Sequence, residues 1–335
     1  MNILFTCAGR RTYLLKYFRE NMVEGDKIVA TDMQLSAPAL TVADVKIQVP
    51  AVYEPKYIDI ILDICKEQRI NALLCLNDLE LPILAENKAR FEAQGVTLIV
   101  SDREVIDICF DKYKTVQWVE SIGLKAPKTF VRLADAKFAL AKKEIAFPLF
   151  MKPRWGSGSI GLESVADMEE LDVYYSLLMK KIKKSILATV SVGDEYILIQ
   201  EKLGGKEFGL DVMNDLNGKN VGVSVKQKLA MRAGETDKAI IVDMPEVCEI
   251  GRKIGENLKH IGNLDVDIMQ RTNGDYCVLE LNPRFGGGYP FSYEAGANMP
   301  LAIIKWLNGE EVAAELLQPE YGKKFAKTDY LVPVE

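Results

Sequence analysis

Short apolar runs alternate with amphipathic stretches over the first hundred positions of this chain. Residues 3–8, 27–31, 45–49, 72–76 and 96–100 read as strands. Residues 12–22, 57–68 and 79–94 carry helical periodicity between them. Such alternation predicts an open parallel sheet with helices on both faces. After position 102 the pattern changes. Two short helices over 102–125 meet at Asp111-Lys112, then a strand at 129–131 and a helix at 134–144 follow. The buried run FPLFMKP enters a glycine-rich stretch, and a helix spans 168–184. Strands at 196–200, 208–213 and 221–229 precede a helix over 245–260. Helices at 299–307 and 311–317 close the pattern, and the tail after Pro319 is short and polar. The second half is strand-rich with antiparallel signals, so the fold class is α/β followed by α+β.

The stretch LDVDIMQRTNGDYCVLELNPRFGGG (264–288) carries the first chemistry. Asn273-Gly274 between two apolar runs signals a tight hairpin turn. With those residues at the turn centre, Asp267 faces Glu280 and Asp265 faces Asn282, all on one face. Opposed carboxylates repel unless a cation lies between them, and hard oxygen ligands of this kind suit Mg²⁺.

The chain has 335 residues, enough for two or three domains, and is 48% hydrophobic and 27% charged. A net charge of −6 argues against nucleic acid as the main partner. No apolar run is long enough to span a membrane, and the N-terminus reads as a strand, without a signal peptide. The six cysteines are scattered singly in apolar runs, as buried thiols in a reducing cytoplasm are. One histidine, His260, leaves little scope for zinc or Ser-His-Asp chemistry. The strand ends near Gly9, Asp32 and Asn77-Asp78 are candidate ligand positions in an open sheet. The loop Ala8-Gly9-Arg10-Arg11, however, has one glycine where a dinucleotide fingerprint needs three.

Gly156-Ser157-Gly158-Ser159-Ile160-Gly161 matches G-x-G-x-x-G but follows Lys152-Pro153 at a strand end and opens no helix. That context excludes the dinucleotide reading and fits a hairpin whose backbone N–H groups close over phosphates, with Lys152 adding a point charge. No G-x-x-x-x-G-K-[ST], H-R-D or D-F-G occurs, which removes P-loop proteins and protein kinases. Glu201-Lys202-Leu203 can lie along a purine edge, and Glu207 can accept from ribose hydroxyls. Lys226, Lys228 and Arg232 fall at even positions, on one strand face if the strand is regular. Arg232 could then grip a carboxylate from a short loop over 232–236. Gly286–Gly288 with Tyr289 and Glu294 could line an acceptor pocket.

Lys112, Lys152 with its glycine loop, Glu201-Lys202-Leu203, Glu207, Asp267 and Glu280-Leu-Asn282-Pro-Arg284 occur in an order that resembles the ATP-grasp superfamily. The likeness is to its carbamoyl-phosphate-synthase large-subunit-like branch and the small carboxylate–amine ligases. It implies a Rossmann-like pre-ATP-grasp domain (1–104), an ATP-grasp N-terminal subdomain with a glycine-rich lid (105–204), a C-terminal subdomain with the metal site (205–318) and a tail (319–335). It further implies that Lys112, Lys152 and the 156–161 loop bind ATP phosphates. Glu201, Lys202 and Leu203 would hold adenine and Glu207 the ribose. Asp267, Glu280 and Asn282 would hold Mg²⁺, with Mn²⁺ as an alternative. Arg284, with Lys152 and Arg232, would serve the transferring phosphoryl group and the substrate. Asp265 is a further candidate.

The implied activity is a ligase that phosphorylates a carboxylate with ATP, lets an amine attack the acyl phosphate, and releases ADP and phosphate. The alternatives are phosphorylation of a carbamate or another small acceptor, or ATP binding without turnover. The expected partners are a small carboxylate and an amine, with no membrane or nucleic acid. A cytoplasmic protein, as a monomer or homodimer, fits these expectations.

Overall fold

In the computed structural model, residues 1–156, 161–190 and 193–334 are described. Three sheets carry the chain. The first is parallel, in the order Val45–Gln48, Lys27–Asp32, Asn2–Thr6, Ala72–Cys75, Thr97–Ile99. Its central strands are buried almost throughout, so both faces are covered, as the near-continuous apolar runs require. Tyr57–Glu67 and its neighbours cover one face. On the other face Thr12–Arg19 packs together with Met299–Leu307 from the far end of the sequence. Strand order reverses at Asn2–Thr6, which sets a crevice at its carboxyl end.

A four-stranded antiparallel sheet, in the order Thr129–Phe130, Ile197–Glu201, Leu149–Pro153, Glu163–Val165, follows. The third sheet has six antiparallel strands, ordered Tyr276–Asn282, Gly262–Gln270, Glu207–Asn214, Asn220–Arg232, Glu235–Ile241, Lys324–Ala326. Pro245–Leu258 packs on it through Val247 and Ile254, with Gly251 and Gly255 allowing close approach. Among the described residues no helix is long and apolar enough to cross a membrane.

The mixed α/β fold agrees with the periodicity, with local exceptions. The 79–94 helix divides into Leu81–Glu86 and Lys88–Glu92, where the Asn87 side chain bonds the Ile83 carbonyl at 2.9 Å. Such a side-chain bond to a carbonyl four residues back competes with the helix. The 311–317 helix shrinks to a 3₁₀ turn at Ala314–Leu317. The expected 232–236 loop narrows to a two-residue turn of Ala233 and Gly234, at φ 50° and 79°, and Glu235–Ile241 continues as a strand. The polar tail adds Lys324–Ala326 to the sheet edge.

Candidate active site

The hairpin is the site's core, and its register is that expected: Asp267 lies opposite Glu280 and Asp265 opposite Asn282. The turn itself is different. Arg271 N–H bonds the Asp275 carbonyl at 2.6 Å and Gly274 sits at φ 93°, so three residues, 272–274, form the loop. That loop alone would slip the pairing by one residue. A bulge between Ile268–Val278 and Asp267–Glu280 leaves Leu279 unpaired and restores it. The bulge also turns Leu279 and the adjacent Glu280 toward the same cavity.

That cavity, of about 230 Å³, lies between the four- and six-stranded sheets. Phe150, Leu203, Met269 and Leu279 give it apolar walls, suited to a flat aromatic ring. Lys112 and Lys152 also line it. Burial pushes the Lys152 ammonium down to about 8, with Lys112 pushing the same way against Glu280 and Asp267. A polyanion is the group that would restore its charge. Lys112 is buried and donates to the Gly156 carbonyl. Asp111, just before it, caps the Lys112–Ser121 helix and accepts two bonds from Arg154 at 2.7 and 2.8 Å. The motif reading missed this Asp111–Arg154 clamp. Its signal was the charged pair at the helix junction and the KPR that ends FPLFMKPR.

Gly156 and Gly161 adopt φ 96° and 70°, the left-handed region glycine tolerates best. A Cβ on either would lie 2.8 Å from a leucine methyl, of Leu187 and Leu178 respectively. The other loop candidates, Ser157, Gly158 and Ser159, lie outside the described residues.

The purine-edge residues divide. Glu201 lines the cavity, but its carboxylate is already held by Arg271 at 2.5 and 2.9 Å and by the Lys128 N–H at 2.7 Å. Its side chain therefore braces the hinge, which leaves the main chain to meet an adenine edge. Leu203 lines the cavity. Lys202 does not: its ammonium lies 3.3 Å from Ser164 Oγ and above the outer side of Phe150, because it follows the last paired residue of its strand. Glu207 lines the cavity at the start of its strand.

Lys228 emerges as a central residue. Its Nζ lies 2.7 Å from both Glu207 and Asp267. Burial alone would lower its pKa, yet the two carboxylates hold it above the ordinary lysine range. It occupies the position of a counter-ion for carboxylates that would otherwise repel. Among the described residues no group of three or more His, Cys, Asp or Glu side chains could hold a metal by itself. Asp267, Glu280 and Asn282, the expected metal ligands, all line one cavity.

A second cavity, of about 160 Å³, shares Asp267 and Glu280 with the first. It is strongly polar, with Lys226, Asp265, Asn282 and Arg284 in its wall. Arg284 donates to Asp78 at 2.6 Å and approaches Asp265 to 3.8 Å, tying the parallel sheet's strand end to the hairpin. Burial acts against its charge, but Asp78, Asp265 and Glu280 outweigh burial and raise its pKa. Asp265 is pushed up to about 7 by burial and by Asp267, against Arg284 and Lys226. Gly286 touches it so closely that a Cβ would lie 2.2 Å from its carboxyl carbon.

Three expected positions lie elsewhere. Arg232 is half-exposed at a hairpin tip, bonded to Asp329 at 2.6 Å and Asp237 at 3.1 Å. A bulge at Leu229 breaks the even-position pattern, so Met231 turns inward instead. Tyr289 is fully buried, its hydroxyl spent on the Ala297 carbonyl and the Met299 N–H. Glu294 accepts from Tyr17 at 2.9 Å. Asp32 caps the N–H groups of Gly9 and Gln34, so these two strand-end candidates serve the turn.

The family described as "PylC-like, N-terminal domain" matches residues 3–99, and that described as "ATP-grasp in the biosynthetic pathway with Ter operon" matches residues 194–328. The carbamoyl phosphate synthase large chain, N-terminal section, of Aquifex aeolicus (strain VF5) is 25% identical over 84% of this chain and 51% of its own length. The arginine-specific large chain of Bacillus subtilis (strain 168) is 23% identical over 74% of this chain and 23% of its own. The chain thus spans about half, or less, of the curated relatives it matches. A biotin carboxylase from Campylobacter jejuni, solved as a complex with β,γ-ATP, superposes at TM-score 0.75 and 18% identity, over 95% of this chain and 73% of that one. An L-amino acid ligase from Bacillus licheniformis superposes at TM-score 0.68 and 19% identity, over 96% and 76%.

Proposed function

We propose that this chain, a member of the ATP-grasp superfamily, is an ATP- and Mg²⁺-dependent ligase that joins a carboxylate to an amine through an acyl phosphate. The observation that carries this reading is the shared wall. Asp267 and Glu280 separate a cavity with apolar walls and two lysines from a polar cavity that holds Arg284. A nucleotide in the first cavity would present its γ-phosphate at the wall, and an acceptor carboxylate would meet it from the second. Lys112 and Lys152 would hold phosphate oxygens, and Glu207 the ribose. Arg284, fixed by Asp78, would steady charge on the moving phosphoryl group. The metal held by Asp267, Glu280 and Asn282 would offset phosphate charge, with Mn²⁺ able to replace Mg²⁺. Lys228 would move off Asp267 as the metal arrives. The 156–161 loop would shield the acyl phosphate from water. The proposal extends to a cytoplasmic enzyme working on small metabolites.

The reading requires ADP and phosphate as products. Hydroxylamine added during turnover should trap an acyl hydroxamate, detected by mass spectrometry. Steady AMP and pyrophosphate production would sink it. A second reading, favoured by the carbamoyl phosphate synthase relatives, is phosphorylation of a carbamate, which would form ADP without any amide.

A further inference from the structure

The polar cavity contains one cation of a different kind from the rest. Lys226 is neutralised by Asp211 at 2.5 Å, Lys228 by Glu207 and Asp267, and Arg284 by Asp78. Arg11 reaches the same cavity from the loop after the first strand of the parallel sheet. Its Nη1 donates to the Phe285 carbonyl at 2.6 Å, and Tyr13 lies beside it. Among the described residues no carboxylate is in ion-pair contact with it. A partly buried guanidinium held in place by neutral partners is a receptor for an external anion, and its planar fork suits a carboxylate.

Glu235 lines the cavity from the sheet on the opposite side. One of its oxygens accepts from Lys327 at 3.0 Å. Arg11 and Glu235 line the same cavity, and among the described residues no ion pair joins them. Below them runs Gly286–Gly288. A Cβ on Gly287 would lie 3.1 Å from the Glu235 carboxylate, and one on Gly288 would lie 2.6 Å from Lys226 Cε. The glycines keep this floor low, and the space above it is small.

We infer that the amine substrate is a small α-amino acid, its carboxylate held by Arg11 and its ammonium by Glu235. This rests on the ligase reading above. An α-amino acid carries both charges on groups bonded to one carbon, which is what an arginine and a carboxylate lining one small cavity can hold together. The reaction balances without a further reactant. The ammonium loses one proton, and its nitrogen lone pair forms a bond to the acyl carbon. The bond from that carbon to the phosphate oxygen breaks, and phosphate leaves with the electron pair and takes the nitrogen's second proton, the first having gone to solvent.

The test is isothermal titration of the chain loaded with Mg²⁺ and the non-hydrolysable analogue AMPPNP. The probes are small L-α-amino acids, their α-amides, the amines lacking the carboxyl group, and the 2-hydroxy acids. At least one amino acid should bind, with its amide and amine weaker by about tenfold or more. Arg11→Ala should bring the amino acid and its amine to within about twofold of each other while AMPPNP affinity stays within about twofold. Arg11→Lys should recover part of the preference. Glu235→Gln should narrow the gap between the amino acid and its hydroxy acid. Binding of no amino acid, equal binding of amide and amino acid, or a preference unaltered by Arg11→Ala would overturn the assignment. Failure to bind AMPPNP at all would overturn the ligase reading itself, and this assignment with it.

Discussion

The two cavities meet at Asp267 and Glu280, with Met231 and Gly234 also common to both, and differ in character. The larger has aliphatic and aromatic walls, with charged side chains set among them. The smaller is mostly polar, with cations and carboxylates in equal number along its wall. The first can bind by burying a ring and receiving a polyanion, two strong and non-directional effects. The second has little apolar surface, so whatever it binds must replace hydrogen bonds already satisfied by the protein or by water. Affinity should therefore be concentrated in the first cavity and selectivity in the second.

The shared wall is where this contrast breaks most completely. Glu280→Gln should lower turnover by roughly a thousandfold or more while leaving the fold intact by circular dichroism. Without nucleotide the same variant should melt slightly higher than the unaltered chain, because it removes one of two opposed carboxylates. Unchanged turnover would exclude the metal assignment. Loss of the folded signal would make Glu280 structural and dissolve the two-cavity picture.

The larger cavity was legible in the sequence because its residues come from short motifs on regular strands. Lys152 lies near the end of an apolar strand, and Asp267 and Glu280 flank a turn with an evident Asn-Gly. Even there agreement came through compensation, since the three-residue turn and the bulge at Leu279 cancel in register. Nothing in the letters marks such a bulge. The smaller cavity was legible only in part. Arg11, Glu235 and Gly287 lie in three elements brought together by the packing of the parallel sheet on the six-stranded one. Of the patterns proposed for it, Gly287 and Gly288 line it as expected, whereas Lys226-Lys228-Arg232 holds only to Lys228, because a second bulge at Leu229 reverses the faces before Arg232. Strand periodicity carries information only while the ladder is unbroken.

Lys152→Met sharpens the contrast from the nucleotide side. It should raise the Kd of AMPPNP by about tenfold or more, and leave ligand discrimination in the polar cavity unaltered. Its pH dependence has a definite sign. With its pKa lowered to about 8, Lys152 is charged below that value and neutral above it. Nucleotide affinity should be greatest below pH 8 and fall as pH rises through it, with proton uptake on binding in that range. In Lys152→Met this part of the pH profile should be flat. A smaller effect is expected at the hinge. Arg271→Ala frees the Glu201 carboxylate without removing a lining side chain, and should weaken AMPPNP roughly threefold to tenfold. No change in affinity would mean that the brace is unnecessary to the cavity.

The smallest effect expected is at Arg232, and it tests whether the polar cavity is complete as it stands. Its guanidinium is half-exposed and paired with Asp237 and with Asp329 in the tail. Exposed pairs of this kind contribute little to stability, because water and salt screen them and two long side chains must be ordered. Arg232→Ala should therefore change both turnover and melting temperature only slightly, with rates within about twofold of the unaltered chain. The tail gives the opposite outcome a physical meaning. Lys327 on Glu235, Asp329 on Arg232 and Tyr330 on Thr12 carry the segment from the six-stranded sheet to the first helix, along the rim of the polar cavity. If Arg232→Ala and Asp329→Ala each reduced turnover tenfold while AMPPNP affinity held, the hairpin tip and tail would have to close on the acceptor during catalysis. Arg232 would then join Arg11 as a second cation for the carboxylate, and the cavity's selectivity would come from a closed form that the half-exposed arginine only begins to outline.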